Sequence, residues 1–381
     1  MAHDSTIIRG ERFKLAFAPE TQYGTDPGTA TYTNFFGVVQ SATLPDPLLD
    51  VTPIYALGTA SNRNWFVAYR GRISIGGSIP DIWLLDGRML YLGLGDTVVT
   101  TGSSPYVHTI YETTSLPTIS IHATHLDSEG SVALMRRWHG GKVNRMTIEA
   151  SEGDFLKASI DDIQFTGHTN NQQGESYFSA NVADISPTYP STEPYLFCGG
   201  SLVLNGQEFA RMRNFRIQVN NSLEAKYYIT SSQNECQRLP YEFREGKREY
   251  TMSCNIDVAD STLFKELIRM GTYNSVYRGF QVIITFRRGG SASDQIVMTS
   301  PPSSPGAGGD AMGCLMRSAP HNIMDAPVVT VPVEILMRSL RIVVTDSISG
   351  LSYPGSNKIK NIFPKVGISP VIARKKNGVT I

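Results

Sequence analysis

Neither sign of charge dominates this sequence: 34 lysines and arginines face 34 aspartates and glutamates, for a formal net charge of zero. A protein that grips phosphates is usually visibly basic, because the nucleic-acid backbone dominates such affinity. Sequence-reading nucleic-acid binding is therefore disfavoured, and the neutral balance favours self-association. Cysteine is scarce. The four thiols (Cys198, Cys236, Cys254, Cys314) form no CxxC pair and no regular spacing, so neither a zinc site nor a disulfide framework is expected. Long apolar runs are missing too: no window approaches the roughly 20 residues that span a bilayer. Residues 1–14 are polar and charged, without the apolar core of a secretory signal. Synthesis in a reducing cytosol, with no membrane partner, fits these absences.

The signatures of chemistry are lacking as well. There is no HExxH, no Walker A run and no Gly-x-Ser-x-Gly. His122 and His125 sit on a strand-like stretch, where residues three apart point to opposite faces and cannot chelate together. Asp161 and Asp162 are adjacent, so on a strand their carboxylates diverge and suit no paired acid–base work. Gly93-Leu94-Gly95 lacks a third glycine and follows no strand, so it is no dinucleotide loop. The sequence thus predicts no catalytic residue, no metal ligand, no cofactor and no enzyme.

What the chain does have is alternation. Its 381 residues, 41% of them hydrophobic, support a packed core and more than one domain. Phe215, Ile217 and Val219 alternate with Arg216, Gln218 and Asn220; Val329, Val331, Val333, Ile335 and Met337 alternate with Thr330, Pro332, Glu334 and Leu336. Leu156, Ala158 and Ile160 do the same with Lys157, Ser159 and Asp161. A period of two marks half-buried strands. Pro332 within such a run predicts an edge or a bulge, since proline cannot donate to the ladder. Asn205-Gly206 reads as a tight hairpin turn.

Only two stretches read as helices. Residues 82–92 follow Pro80-Asp81 and stop at Gly93; residues 263–270 follow Asp260-Ser261 and stop at Gly271. Each is preceded by a strand, beginning at Arg72 and Arg248, so an internal repeat is expected with an offset of about 176 residues. The predicted fold is mainly β, with two tandem β-sandwich or barrel domains and one flanking helix each. The proline-rich stretch 186–194 divides them: a first domain over 1–185, a second over 186–346 with an insertion about 300–313. Residues 347–381 form a C-terminal arm that contains lysines and arginines but no acid. Deleting the arm is expected to leave a folded chain that assembles poorly, read in electron micrographs; normal assemblies would contradict this.

Several stretches resemble the tail tube proteins of siphophages. Glu20-Thr21-Gln22-Tyr23-Gly24-Thr25 is similar to the family's Glu-Thr-x-Tyr-Gly-Thr segment, and residues 72–95 to its strand-then-helix unit. Leu116-Pro117-Thr118-Ile119-Ser120-Ile121 and Gly141-Lys142-Val143-Asn144-Arg145-Met146-Thr147-Ile148 resemble its next two strands. Residues 202–206 and 215–221 resemble its hairpin and following strand. The resemblance implies a non-enzymatic subunit of the virion tail, stacking in rings as the conduit for DNA ejection. Two domains per chain then imply three chains around a pseudo-sixfold ring, with six chains as the alternative. The implied partners are further copies of the chain, a tape measure protein and double-stranded DNA held in the lumen without sequence reading, and tail terminator and baseplate proteins. A distal tail or baseplate-hub ring protein is the nearest other reading, and a β-sandwich adhesin binding host glycans a more distant one. Candidate assembly residues are Glu20, Tyr23, Gly24, Thr25, Tyr55, Trp65, Phe66, Tyr227, Tyr228, Arg244, Lys358, Lys360, Arg374 and Lys375.

Overall fold

The computed structural model describes residues 8–28, 31–44, 48–55, 67–168, 191–209, 211–228, 239–258, 279–303, 312–320 and 329–348, with Ile185, Pro187 and Lys265 as single positions. The first half supplies β1 (Ile8–Pro19), β2 (Leu48–Ile54), β3 (Val67–Ser74), β4 (Gly76–Trp83) and β5 (Thr97–Thr101). It continues through β6 (Tyr106–Tyr111), β7 (Ile119–Asp127), β8 (Val132–Ser151), β9 (Lys157–Gln164) and β10 (Gly167–His168). The second half supplies β11 (Gly200–Leu204), β12 (Gln207–Glu208), β13 (Met212–Asn220), β14 (Glu224–Lys226), β15 (Glu242–Arg244) and β16 (Glu249–Val258). Last come β17 (Val282–Arg287), β18 (Gln295–Ser300), β19 (Leu315–Ser318), β20 (Val329–Met337) and β21 (Arg341–Asp346). The class is mainly β, as the alternation predicts.

One ten-stranded antiparallel sheet carries, side by side, β4, β9, β8, β13, β16, β20 and β19. The other end of β8 pairs with β7, which pairs with β1. A seven-stranded sheet runs β12-β11-β17-β18-β21-β6-β5. Both sheets therefore combine strands of the two halves, and one buried apolar cluster spans them. The register explains why. Ala158, Ile148, Ile217, Met252 and Ile335 stand opposite one another on successive strands and are all buried. Such a row gains both from side-chain burial and from direct cross-strand contact. Phe215 reaches across the sandwich to Phe286 of β17, ring centroids 5.4 Å apart.

β8 can serve two sheet segments because Gly140 interrupts it at φ +65°. A Cβ there would lie 1.8 Å from Thr166 Oγ1, so the bend admits glycine alone. Asn205 and Gly206 adopt φ +51° and +78° between β11 and β12, the tight hairpin turn expected of that dipeptide. Pro332 lies beyond the last β19–β20 pairing at Glu334, and among the described residues no strand pairs with β20 on that side of it, which accommodates its missing N–H.

The helix expected over 82–92 is corrected. Ile82 and Trp83 belong to β4, and the helical turn is a 3-10 segment, Arg88–Gly93. The Asp81 amide donates to Ser159 Oγ (3.0 Å), Trp83 exchanges both backbone bonds with Val38 (3.1 Å each), and Leu84 N donates to Leu156 O (3.0 Å). Those sheet bonds hold the stretch extended. Asp86 then bonds the Arg88 amide through Oδ1 at 2.8 Å, starting the turn later than Pro80-Asp81 suggests. Leu85, Met89 and Leu92 are all buried, though not as one stripe of a longer helix. The helix expected over 263–270 lies outside the described residues, Lys265 excepted.

Two hairpins stand off the sheets at corresponding places. β2–β3 leads into β4, and β14–β15 leads into β16. Before the first hairpin, Val38 and Thr43 bridge to Trp83 and Ser78 of β4; before the second, β13 pairs along β16. The order residues 38–43, β4, β9, β8 is thus followed laterally by β13, β16, β20, β19.

Candidate assembly site

Most of the segments that carry the family resemblance lie far apart in sequence and meet at one place, the joint between the two halves; residues 202–206 lie instead in the seven-stranded sheet. β8, from the first half of the chain, pairs there with β13 from the second, from Arg145↔Asn220 to Ser151↔Asn214. Asn221 closes its end. This side chain is 1% exposed; its Nδ2 donates to Gly93 O (3.1 Å) and Val143 O (3.0 Å), and its Oδ1 accepts from Arg248 Nε (2.6 Å). Asn144 mirrors it, accepting from the Leu223 amide at 2.8 Å and donating to Asp162 at 2.6 Å. Lys142 reaches Glu245 at 2.6 Å and Phe243 O at 3.2 Å, fixing the root of the β14–β15 hairpin to β8.

The 20–25 segment completes the joint. Tyr23 Oη accepts from the Phe243 amide at 3.1 Å, and the Lys142 ammonium lies 5.4 Å from its ring centroid. Burial pushes the Tyr23 phenol above its ordinary value, so it stays neutral. Glu20 is 4% exposed and engaged inside the chain: its Oε1 accepts from Ser120 Oγ and the Gly140 amide, both at 2.6 Å, and its Oε2 accepts from the Gly24 amide at 2.9 Å. It thereby ties the segment to the bend in β8. Thr25 is exposed, and its amide donates to Gln22 O at 3.2 Å. Beside them Asp26 pairs with Arg137 at 2.8 Å. Against the cost of burial, the hydrogen bond and charge of Arg137 hold its carboxyl below the ordinary range.

Burial raises the Glu20 carboxyl pKa, against the pull of Ser120, Gly140 and Gly24. A carboxyl raised in the folded state contributes stability below its unfolded value, lost as pH climbs through the folded one. Glu20→Gln is therefore expected to cost more near pH 4 than near pH 7, and equal urea midpoints shifts at both would contradict this. Glu20→Leu orphans a hydroxyl and two amides, an expected loss on the order of 3 kcal/mol that follows the same pH trend.

Of the other candidate residues, Tyr55 stands 65% exposed beyond β2. Tyr227, Tyr228 and Arg244 are on or next to the β14–β15 hairpin. Tyr227 donates to Ile73 O at 3.3 Å and lies beneath Arg72, 4.8 Å from its ring centroid. Trp65, Phe66, Lys358, Lys360, Arg374 and Lys375 lie outside the described residues, as does most of the 347–381 arm. Sequence reasoning missed Lys142, Asn144, Asn221 and Glu245 as site residues. Three of them stood within quoted motifs, but nothing in the sequence showed that those motifs converge.

His122, weighed above as a ligand, is buried and bonded to Thr124 Oγ1 (2.9 Å) and Arg137 Nε (2.8 Å). Among the described residues no helix is long and apolar enough to cross a membrane, which does not speak to membrane β-barrels. Cys254 and Cys314 are buried free thiols and Cys198 an exposed one. Burial pushes the Cys254 thiol up to about 12, so it is inert as a nucleophile.

Two comparisons complete these observations. A family model described as phage tail tube protein matches residues 10–334. No curated protein matches the chain.

Proposed function

The chain belongs to the phage tail tube protein family, and from that premise we propose that its copies join edge to edge into rings of three, each chain supplying two tube units, and that the rings stack into the channel for DNA ejection. The tail tube subunit is a structural component of the virion, and the family implies self-assembly and no enzymatic role. The proposal adds how the assembly closes. One observation carries it: within a single chain, the β8 edge of the first unit already pairs with the β13 edge of the second. Among the described residues, residues 38–43 and β19 remain as the two outer edges of that strand order. They are different edges, so joining one to the other is heterologous and continues in one direction. A ring is the closed form of that contact, and closure removes the edges that make open sheets prone to uncontrolled pairing.

The chemistry of the sheet fits a channel. Arg216, Gln218, Ser253 and Glu334 occupy the side opposite the apolar row. Arg216 pairs with Glu149 at 3.6 Å, Arg317 with Glu334 at 3.2 Å, and Arg213 with Asp257 at 2.7 Å. Cations held by carboxylates on the same wall present little net attraction to passing phosphates. We assign this polar side to the lumen, where DNA and the tape measure protein would pass. Tail terminator and baseplate proteins would meet the end rings.

Negative-stain microscopy of the purified protein over a concentration series tests the reading. Stacked hollow tubes of uniform bore are expected. Discrete single rings at every concentration would instead indicate a distal tail or hub protein.

A further inference from the structure

The two hairpins that occupy corresponding places in the repeat differ in what covers them. β2–β3 leaves both faces to solvent: Ile54, Val67 and Tyr69, 45%, 45% and 63% exposed, share one, and Val51, 49% exposed, lies on the other. A two-stranded hairpin is marginal by itself, and clustered exposed apolar side chains mark an interaction surface. The β14–β15 hairpin shows within the chain what such a surface meets. Its Tyr227 leans on the root of β3, bonded to Ile73 O at 3.3 Å and stacked with Arg72. The contact is one-directional, hairpin of the second unit onto root of the first.

The opposite side of β14–β15 carries a prepared aromatic patch. Tyr228 follows Tyr227 on the extended chain and so projects the other way. Its ring meets Tyr241 edge-on, centroids 5.5 Å apart, and both residues are exposed. Tyr228 Oη donates to Glu242 (2.8 Å) and accepts from Arg244 Nη2 (2.7 Å), while Arg244 Nε donates to Glu242 (2.9 Å). These bonds fix an aromatic pair at the surface before any partner arrives, which lowers the entropy lost on contact. Tyrosine and arginine are also the residue types that most often anchor interfaces.

We propose that the β2–β3 hairpin of one chain lies against the Tyr228–Tyr241 side of the β14–β15 hairpin of its neighbour in the same ring. It repeats between chains the hairpin-on-hairpin contact made within each. The partner is a second copy of this chain, and the inference rests on the ring reading above. It makes the apolar hairpin a lateral clamp within the ring rather than a connector to the next.

The test places a photoreactive benzoylphenylalanine at position 69 of the full chain, in assemblies mixed from isotope-labelled and unlabelled chains. Mapped crosslinks are expected between chains, into residues 221–228 or 239–244. In parallel, Tyr228→Ser with Tyr241→Ser should raise the concentration needed for rings by at least about tenfold, with thermal unfolding of the monomer little changed. Tyr241→Phe should restore assembly. Crosslinks into any other segment, with rings intact, would overturn this contact and leave the ring reading standing. Failure of the unmodified protein to form rings at any concentration would overturn the ring reading and this contact together.

Discussion

Replacing Asn221 with leucine is expected to remove about 3–6 kcal/mol of stability, a large share of what a folded chain typically has. The side chain is buried and serves three groups at once: two backbone carbonyls, Gly93 and Val143, and the Arg248 guanidinium. Leucine fills a similar volume but takes away the partner of both carbonyls and of Arg248 Nε, and an unpaired buried polar group costs about 1–3 kcal/mol, more when charged. Arg248 keeps weaker contacts to Glu112 (3.6 Å) and Tyr250 Oη (3.4 Å), which sets the upper limit. Asn221→Asp is the sharper probe. It preserves shape and the bond to Arg248 but turns an acceptor toward two carbonyls, so it should also be strongly destabilising. Urea unfolding of both variants checks this; either one within about 1 kcal/mol of the parent, the range of neutral substitutions, would show that the joint is not held at Asn221.

The second large effect concerns assembly without folding. Leu315, on the edge strand β19, faces Leu336 of β20 and is 37% exposed. Changing Leu315 to lysine places a charge where, in the proposed ring, the next chain pairs, which blocks edge pairing. Because Leu315 is a surface position, unfolding of the monomer should shift by no more than about 0.5 kcal/mol. Rings and tubes should disappear. Val38→Lys, on the opposite outer edge, is expected to do the same. Mixing the two variants is then informative: each retains the edge the other has lost, so a heterologous contact yields dimers that cannot grow. Dimers from either variant alone would point instead to a two-fold contact between like edges.

Much of this architecture was legible along the chain. The period-two stretches at Phe215–Val219 and Val329–Met337 became strands with the predicted residues inward, Val329 at the start of its strand excepted, because one face of a strand must be apolar when a second sheet covers it. Asn205-Gly206 was readable because positive φ at both turn positions is a local requirement. The 82–92 helix was misread for a physical reason: Pro80-Asp81 looks like a start signal, but Ser159 and Val38 compete for the same backbone and keep it extended. The site was legible only in pieces. Tyr23, Lys142 and Asn221 each stood in a recognisable segment, yet the bonds from Tyr23 to Phe243 and from Lys142 to Glu245 span 220 and 103 positions. No local pattern encodes such a meeting; it follows from β8 pairing with β13.

In the proposed assembly that pairing is also the template between chains, and electron cryomicroscopy of the rings tests it most directly. The account predicts three chains per ring, with residues 38–43 of each chain hydrogen-bonded to β19 of the next in one unbroken sheet. Rings of six chains, or rings whose neighbours touch through any other edges, would contradict it.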